Sequence, residues 1–256
     1  MSIELVAQGL RAARHVVVFT GAGASAESGI PTFRDALTGL WERFDAAKLA
    51  TAQAFRADPG LCWGWYEWRR MKVVEASPNT AHRAIAQLAN LVPKVTVITQ
   101  NVDDLHERAG SHGVIHLHGS LHNPRCIDCH TQHSEPLPSV SLAEGGSRID
   151  PPICAVCGGC IRPGVVWFGE ILPEAAWAAA KDAAQTCDLF LSVGTSGLVY
   201  PAAELPLHAL RYRAMVAHIN PQRFEVSHDE YFLQGGASEV MAKLLDMVSG
   251  GSLREA

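Results

Sequence analysis

Five short apolar runs, each giving way to glycine, amide or imidazole side chains, constrain this chain more than any other feature. They occupy residues 15–19, 95–99, 114–118, 189–194 and 215–220. Runs of this length, rich in Val and Ile and without polar alternation, read as strands buried on both faces of a parallel sheet. Helical spacing fills several of the intervals, at 2–14, 80–90, 174–186 and 238–248. Strands alternating with helices predict an α/β fold on a doubly wound parallel sheet. In such folds ligands sit beyond the carboxyl ends of the strands. The length, 256 residues, suits one domain carrying insertions.

The alternation breaks twice. Residues 33–78 are aromatic-rich and helix-compatible, without a clear strand. Residues 121–162 are rich in Cys, Pro, Gly and Ser, and so long an irregular stretch needs a stabiliser of its own. Cys126-Ile-Asp-Cys129 and Cys154-Ala-Val-Cys157 supply one, because four thiolates on two knuckles match a closed, tetrahedral structural zinc site. Cys157-Gly-Gly-Cys160 is a competing pair. Cys154 and Cys157 are preferred, since Gly158-Gly159 suits the turn that follows a knuckle and Cys160 then begins the exit strand. A filled sulfur shell leaves no position for substrate, so the expected Zn2+ folds its lobe and does no chemistry. A redox pair is the alternative for a lone Cys-x-x-Cys, and an odd total of seven cysteines argues against a disulfide framework.

Gly21-Ala22-Gly23-Ala24-Ser25-Ala26 follows the first strand and fits the dinucleotide pattern, whose glycines let backbone N–H groups approach a pyrophosphate. The acidic residue that dehydrogenases carry about 20 residues on is missing. The composition is that of a folded protein, 48% hydrophobic and 18% charged. A net charge of −5 argues against nucleic acid as a partner. No apolar run nears the ~20 residues of a membrane span, so no membrane association is expected. The opening residues lack the layout of a secretion signal, and the expected location is the cytoplasm.

Taken in order, residues 21–34, 99–106 (TQNVDDLH), 117–120 (LHGS), both knuckles, 165–170 (VVWFGE), 194–196 and 219–221 resemble the sirtuins, NAD-dependent protein lysine deacylases. The resemblance spans nearly the whole chain. It implies one catalytic domain: a Rossmann-like lobe (1–34, 79–120, 163–256) and a smaller lobe made of a helical insertion (35–78) and a zinc-ribbon insertion (121–162). By resemblance, NAD meets Gly21, Ala22, Gly23, Ser25, Ala26, Ile30, Phe33, Arg34, Gln100, Asn101, Asp103, Gly194, Thr195, Ser196, Asn220, Pro221, Gln222 and Ala237. Asn101 and Asp103 would bind the ribose and carboxamide; without the family they could simply close a turn. His118 is the implied general base, a role suited to an imidazole near neutral pH. His116, two residues earlier, reads as structural. Val166, Phe168, Gly169 and Glu170 are expected to line a tunnel for an acylated-lysine peptide bound as an added strand. A monomer is expected.

Tyr66 and Arg69 lie three apart on a predicted helix and so share a face. A guanidinium and a phenol can hold a carboxylate between them. This Tyr-x-x-Arg, with Ala26-Glu27-Ser28-Gly29 and Pro31-Thr32-Phe33, resembles the class III sirtuins that remove succinyl and malonyl groups, and acetyl removal is expected alongside. The plainer alternative is an amphipathic surface helix whose tryptophans pack inward. Two other functions compete: a mono-ADP-ribosyltransferase, and a zinc-ribbon adaptor that senses NAD.

Overall fold

A computed structural model describes residues 2–30, 45–137 and 147–250. Helix α1 (Ser2–Ala12) buries Val6, Ala7 and Leu10 and leads into strand β1 (His15–Thr20), where every residue is buried. Alternate side chains of β1 serve two cores: Val16 and Val18 pack on one side of the sheet, Val17 and Phe19 on the other. That double burial is why the run is continuously apolar, each such side chain contributing about 1.5–3 kcal/mol.

The short α2 (Ala22–Ala26) follows the glycine loop. Next come α3 (Ala46–Leu49), α4 (Ala52–Ala57) and the long α5 (Pro59–Glu75). Then α6 (Thr80–Gln87), β2 (Lys94–Thr99), α7 (Leu105–Arg108) and β3 (Ile115–His116) return to the sheet. A two-stranded antiparallel hairpin, β4 (Arg125–Cys126) and β5 (Ile161–Arg162), stands apart from it. The chain closes with α8 (Glu174–Thr186), β6 (Leu189–Val193), α9 (Leu205–Arg211), β7 (Met215–Asn220), β8 (Glu230–Gln234) and α10 (Ala237–Val248).

The described main sheet has six strands in the order β3-β2-β1-β6-β7-β8, with every pairing parallel. With the hairpin set aside, this is the 3-2-1-4-5-6 winding of a dinucleotide fold. The order reverses between β1 and β6, which places the loops after those strands, Gly21–Ser25 and Gly194–Ser196, at the switch point where such folds bind ligands. Helices α1, α6 and α10 share a core on one face, and α8 and α9 on the other.

Two readings differ from the sequence. Only Ile115 and His116 of the run 114–118 form strand β3; Leu117 N–H still donates to Thr99 O at the end of β2, and the next carbonyl, His118 O, accepts from Val166 N–H instead of from the sheet. Strand β8, at the described edge, was not anticipated; it is partly exposed and its residues lack the aliphatic run of the others. Helix α5 is buried around most of its circumference, so the surface-helix alternative for Tyr66 and Arg69 fails: both are under a tenth exposed.

Candidate functional site

The loops after β1 and β6 touch so closely that only glycine fits. A Cβ on Gly23 would stand 2.8 Å from Gly194 Cα, and one on Gly194, whose φ is +61°, would meet Ala24 N at 2.4 Å. The N–H groups of Gly21 and Gly23 donate to the carbonyls of Val193 and Gly194. Close loop-to-loop contact therefore requires glycine at these positions. Ala22, Ala26 and Ser196 face outward around this junction.

Beneath it lies a buried polar network. Ser25 donates to Asp103 Oδ2 at 3.0 Å and accepts from Asn101 Nδ2 at 3.0 Å, joining the β1 and β2 loops. Leu105 N–H donates to the other oxygen of Asp103. Burial raises the Asp103 carboxyl above its ordinary range, against those donors. Thr20 donates to Thr99 and accepts from His106 Nε2 at 2.9 Å. The rings of His106 and His82 meet edge to face at 4.8 Å. Desolvation lowers both imidazoles, His82 to about 4 and His106 to about 3, so both are neutral at pH 7. Asn79 caps α6 at the backbone of Ala81 and His82, and its amide donates to Ala24 O at 2.8 Å. Thr20, His82 and His106 were not singled out in the sequence. The signal for His82 was the capping pattern Asn79-x-x-His82 ahead of a helix.

His118 is half-buried, and its Nδ1 lies 3.0 Å from Gln100 O. A carbonyl only accepts, so Nδ1 carries the proton and Nε2 is left as the acceptor, the form a general base requires. Burial lowers its pKa, against the raising effect of that bond. His116 differs: burial disfavours its charge, but Glu107 at 2.7 Å outweighs that and raises its pKa. That ion pair fits the structural role read for it.

Toward the sheet edge, Asn220 Nδ2 donates to Thr195 O at 2.9 Å, and Gln222 N–H donates to Asn220 Oδ1. Pro221 and Gln222 are exposed, while Ala237 is buried at the start of α10. Ile30 packs in the apolar cluster of the second lobe. Phe33 and Arg34 lie outside the described residues, as do Pro31 and Thr32. At Ser28 a buried hydroxyl has no partner among the described residues, and with the amide, carboxylate and hydroxyl groups at the strand ends this is a donor set suited to a ribose and a carboxamide.

Val166 N–H donates to His118 O at 2.8 Å, so the stretch 165–170 starts beside that residue's backbone. Phe168 and Gly169 are exposed, and Gly169 has φ +85°. Glu170 receives Arg162 at 2.5 and 3.0 Å and the Trp167 N–H at 2.8 Å, bracing that stretch from within. Tyr66 accepts the Trp167 indole N–H at 2.9 Å. Arg69 is buried, its guanidinium 5.3 Å from the Trp65 ring.

The ligand sulfurs of Cys126, Cys129, Cys154 and Cys157 all lie within 4.8 Å of one another. Cys126 and Cys157 sulfurs are 3.4 Å apart, and those of Cys129 and Cys154 3.7 Å. A tetrahedron with Zn–S bonds of about 2.3 Å has edges near 3.8 Å, so four thiolates placed this way fit zinc. Cys160 stays outside the group: its backbone pairs with Ile153 and Ile127 on the way into β5. Gly158 turns with φ +77°, and a Cβ on Gly159 would strike Asp128.

Comparison with known proteins agrees. The Sir2 family model matches residues 21–201. The NAD-dependent protein deacylase of Methylococcus capsulatus is 59% identical over 245 residues, covering 95% of this chain and 96% of that protein. NAD-dependent protein deacylase 1 of Pseudomonas aeruginosa is also 59% identical, over 95% of this chain and 98% of its own. A Sir2 homologue crystallised with NAD superposes with a TM-score of 0.85 at 43% identity, covering 97% of this chain and 94% of that one. A Sir2–p53 peptide–NAD+ structure gives 0.80 at 29% identity, over 98% and 100%. By its strand order, its paired cysteine knuckles and these likenesses along nearly its full length, the chain belongs to the Sir2 family.

Proposed function

We infer that the chain is an NAD-dependent protein-lysine deacylase, and we propose that it acts through His118 and takes succinyl and malonyl groups, with acetyl groups also accepted. The observation that carries the reading is the His118–Gln100 bond, which holds an uncharged imidazole with Nε2 available as a proton acceptor. Bound NAD would supply a ribose carbon that becomes electrophilic as nicotinamide leaves, and a 2′-hydroxyl to receive the acyl group. The loops at 21–26, 100–103, 194–196 and 220–222 would hold it, with Asn101 and Asp103 toward the nicotinamide ribose. His118 Nε2 would take the hydroxyl proton. Relatives named NAD-dependent protein deacylases support the activity, and a Sir2 homologue bound to 2′-O-acetyl ADP ribose, 43% identical, supports the acceptor.

The acidic preference draws on Tyr66 and Arg69, buried on one face of α5 beside Trp167, where a carboxylate-bearing chain entering past Val166, Phe168 and Gly169 would arrive. The zinc ion has no part in the chemistry; its four cysteines brace the lobe that carries this wall.

A panel of acetyl, malonyl, succinyl and glutaryl peptides, with and without NAD, tests both statements. Arg69→Met should lower succinyl kcat/KM by at least about 30-fold, the scale of a lost charged hydrogen-bonding pair, and acetyl kcat/KM by less than about threefold. Equal losses would sink the clamp. His118→Tyr should stay folded and bind NAD, while turnover drops by about 10²–10⁴. Mass spectrometry should find acyl-ADP-ribose and bare lysine; an ADP-ribosylated target would point to the transferase instead.

A further inference from the structure

Trp167 lies 101 residues from Tyr66 in sequence, yet its indole N–H donates to the Tyr66 hydroxyl at 2.9 Å, with both side chains at most 3% exposed. Their ring centroids are 6.4 Å apart. The indole is fixed from several sides. The Arg162 guanidinium sits 3.4 Å from the Trp167 ring centroid, and Arg162 itself is held by Glu170 and by Val165 O. Phe55 packs against the ring at 5.4 Å, and the Trp167 backbone N–H donates to Glu170.

A phenol has one hydrogen to donate and oxygen lone pairs to accept with, whereas an indole N–H can only donate. Two hydrogens cannot point at each other, so the Tyr66 O–H must turn away from Trp167. A carboxylate only accepts. We propose that Trp167 is a specificity-determining positioning residue: by occupying a lone pair of the Tyr66 oxygen it turns the hydroxyl hydrogen outward, as a ready donor to the carboxylate of an acidic acyl chain. Without that bond the hydroxyl is free to rotate and must be ordered when substrate binds. An acetyl group, which has no terminal carboxylate, is indifferent to the arrangement. The inference rests on the acidic-acyl reading of Tyr66 and Arg69 and adds to it the origin of the hydroxyl's direction.

The test is a cycle of Trp167→Phe, Tyr66→Phe and the double variant, assayed on succinyl and acetyl peptides. Trp167→Phe is expected to raise the succinyl KM by about three- to tenfold, the scale of one neutral hydrogen bond, with succinyl kcat and both acetyl constants within about twofold of the parent. In the Tyr66→Phe background the same change should leave the succinyl KM unaltered. Incorporating 3-benzothienylalanine at 167 keeps the bicyclic shape and removes only the N–H, so it reports the donor even if Trp167→Phe fails to fold; it should give the same KM rise. Equal effects on both peptides, or a succinyl effect that persists without the Tyr66 hydroxyl, overturns the proposal. If Tyr66→Phe and Arg69→Met also leave the succinyl-to-acetyl ratio unchanged, the acidic-acyl reading falls with it. If those two shift the ratio and neither change at 167 does, only the role of Trp167 falls.

Discussion

The two lobes bury polar groups in opposite ways. Under the sheet's carboxyl edge, Thr20, Ser25, His82, Thr99, Asn101, Asp103 and His106 form a network in which the hydroxyls and imidazoles are uncharged, surrounded by aliphatic side chains on both faces of the sheet. The second lobe buries charges in pairs. Glu67 receives Arg70 at 2.7 and 3.1 Å along α5, and Arg162 meets Glu170 behind residues 165–169. Its apolar filling is aromatic, from Phe55, Trp63, Trp65, Trp68 and Trp167, and its backbone is tied by four cysteines. The sheet lobe is thus supported by many small, interchangeable contacts. The second lobe depends on a few discrete ties, and each can be cut singly.

The largest expected effect follows from cutting the strongest tie. Cys126→Ser should cost the metal, release residues 121–137 and 147–162 to fast hydrogen exchange and lower deacylation by more than about 100-fold, because structural zinc contributes folding energy outright. The strands β1, β2, β6 and β7 should keep their protection; their loss together with the ribbon would mean that the lobes fold as one unit. A smaller effect tests how the ribbon grips α5. A Cβ on Gly64 would stand 2.1 Å from Ser147 O, while Ile149 N–H donates to Gly60 O and Arg148 pairs with Asp58, the cap of α5. Alanine favours a helix by about 1 kcal/mol, but a backbone clash of this kind costs about 1–3. Gly64→Ala should therefore destabilise the protein by up to about 2 kcal/mol in thermal unfolding; a stabilised variant would show that the strap at 147–150 yields freely.

The last effect concerns the polar network at the sheet edge and pH. The folded pKa values of His82 and His106, about 4 and about 3, lie below the ordinary 6.5. Between these limits the unfolded chain binds more protons, so their contribution is complete above pH 6.5 and is lost as pH falls. Asp103, raised by burial, works in the other direction. Urea unfolding should show stability decreasing from pH 7 to pH 5, by at most about 4 kcal/mol for two such sites. A flat profile would mean that the imidazoles take up protons within the fold.

Legibility divides along the same line. The runs that became β1, β2, β6 and β7 were readable because parallel strands are apolar on both faces, and the knuckles because metal ligation demands a fixed spacing. The paired ends of the ribbon were readable only as motif neighbours. Strand β8 was hidden because an edge strand needs no continuous apolar run. The burial of α5 was hidden by its charges: Glu67, Arg69 and Arg70 look solvated in sequence, and only partners brought in by the fold make room for them. The Trp167–Tyr66 bond joins residues 101 positions apart, a proximity that no local pattern encodes.

The ribbon leaves and rejoins the sheet lobe at one place. Gly119, with φ +74°, pairs with Val165, Ser120 N–H donates to Gly164 O, and a Cβ at either glycine would strike backbone across the junction. An excursion whose two ends meet across a single rung could be lengthened, trimmed or exchanged without rerouting any strand. The rung adjoins the backbone of His118, whose carbonyl accepts from Val166 N–H, so an exchange that shifted the ends of the excursion would move that residue while the winding of the sheet stayed constant.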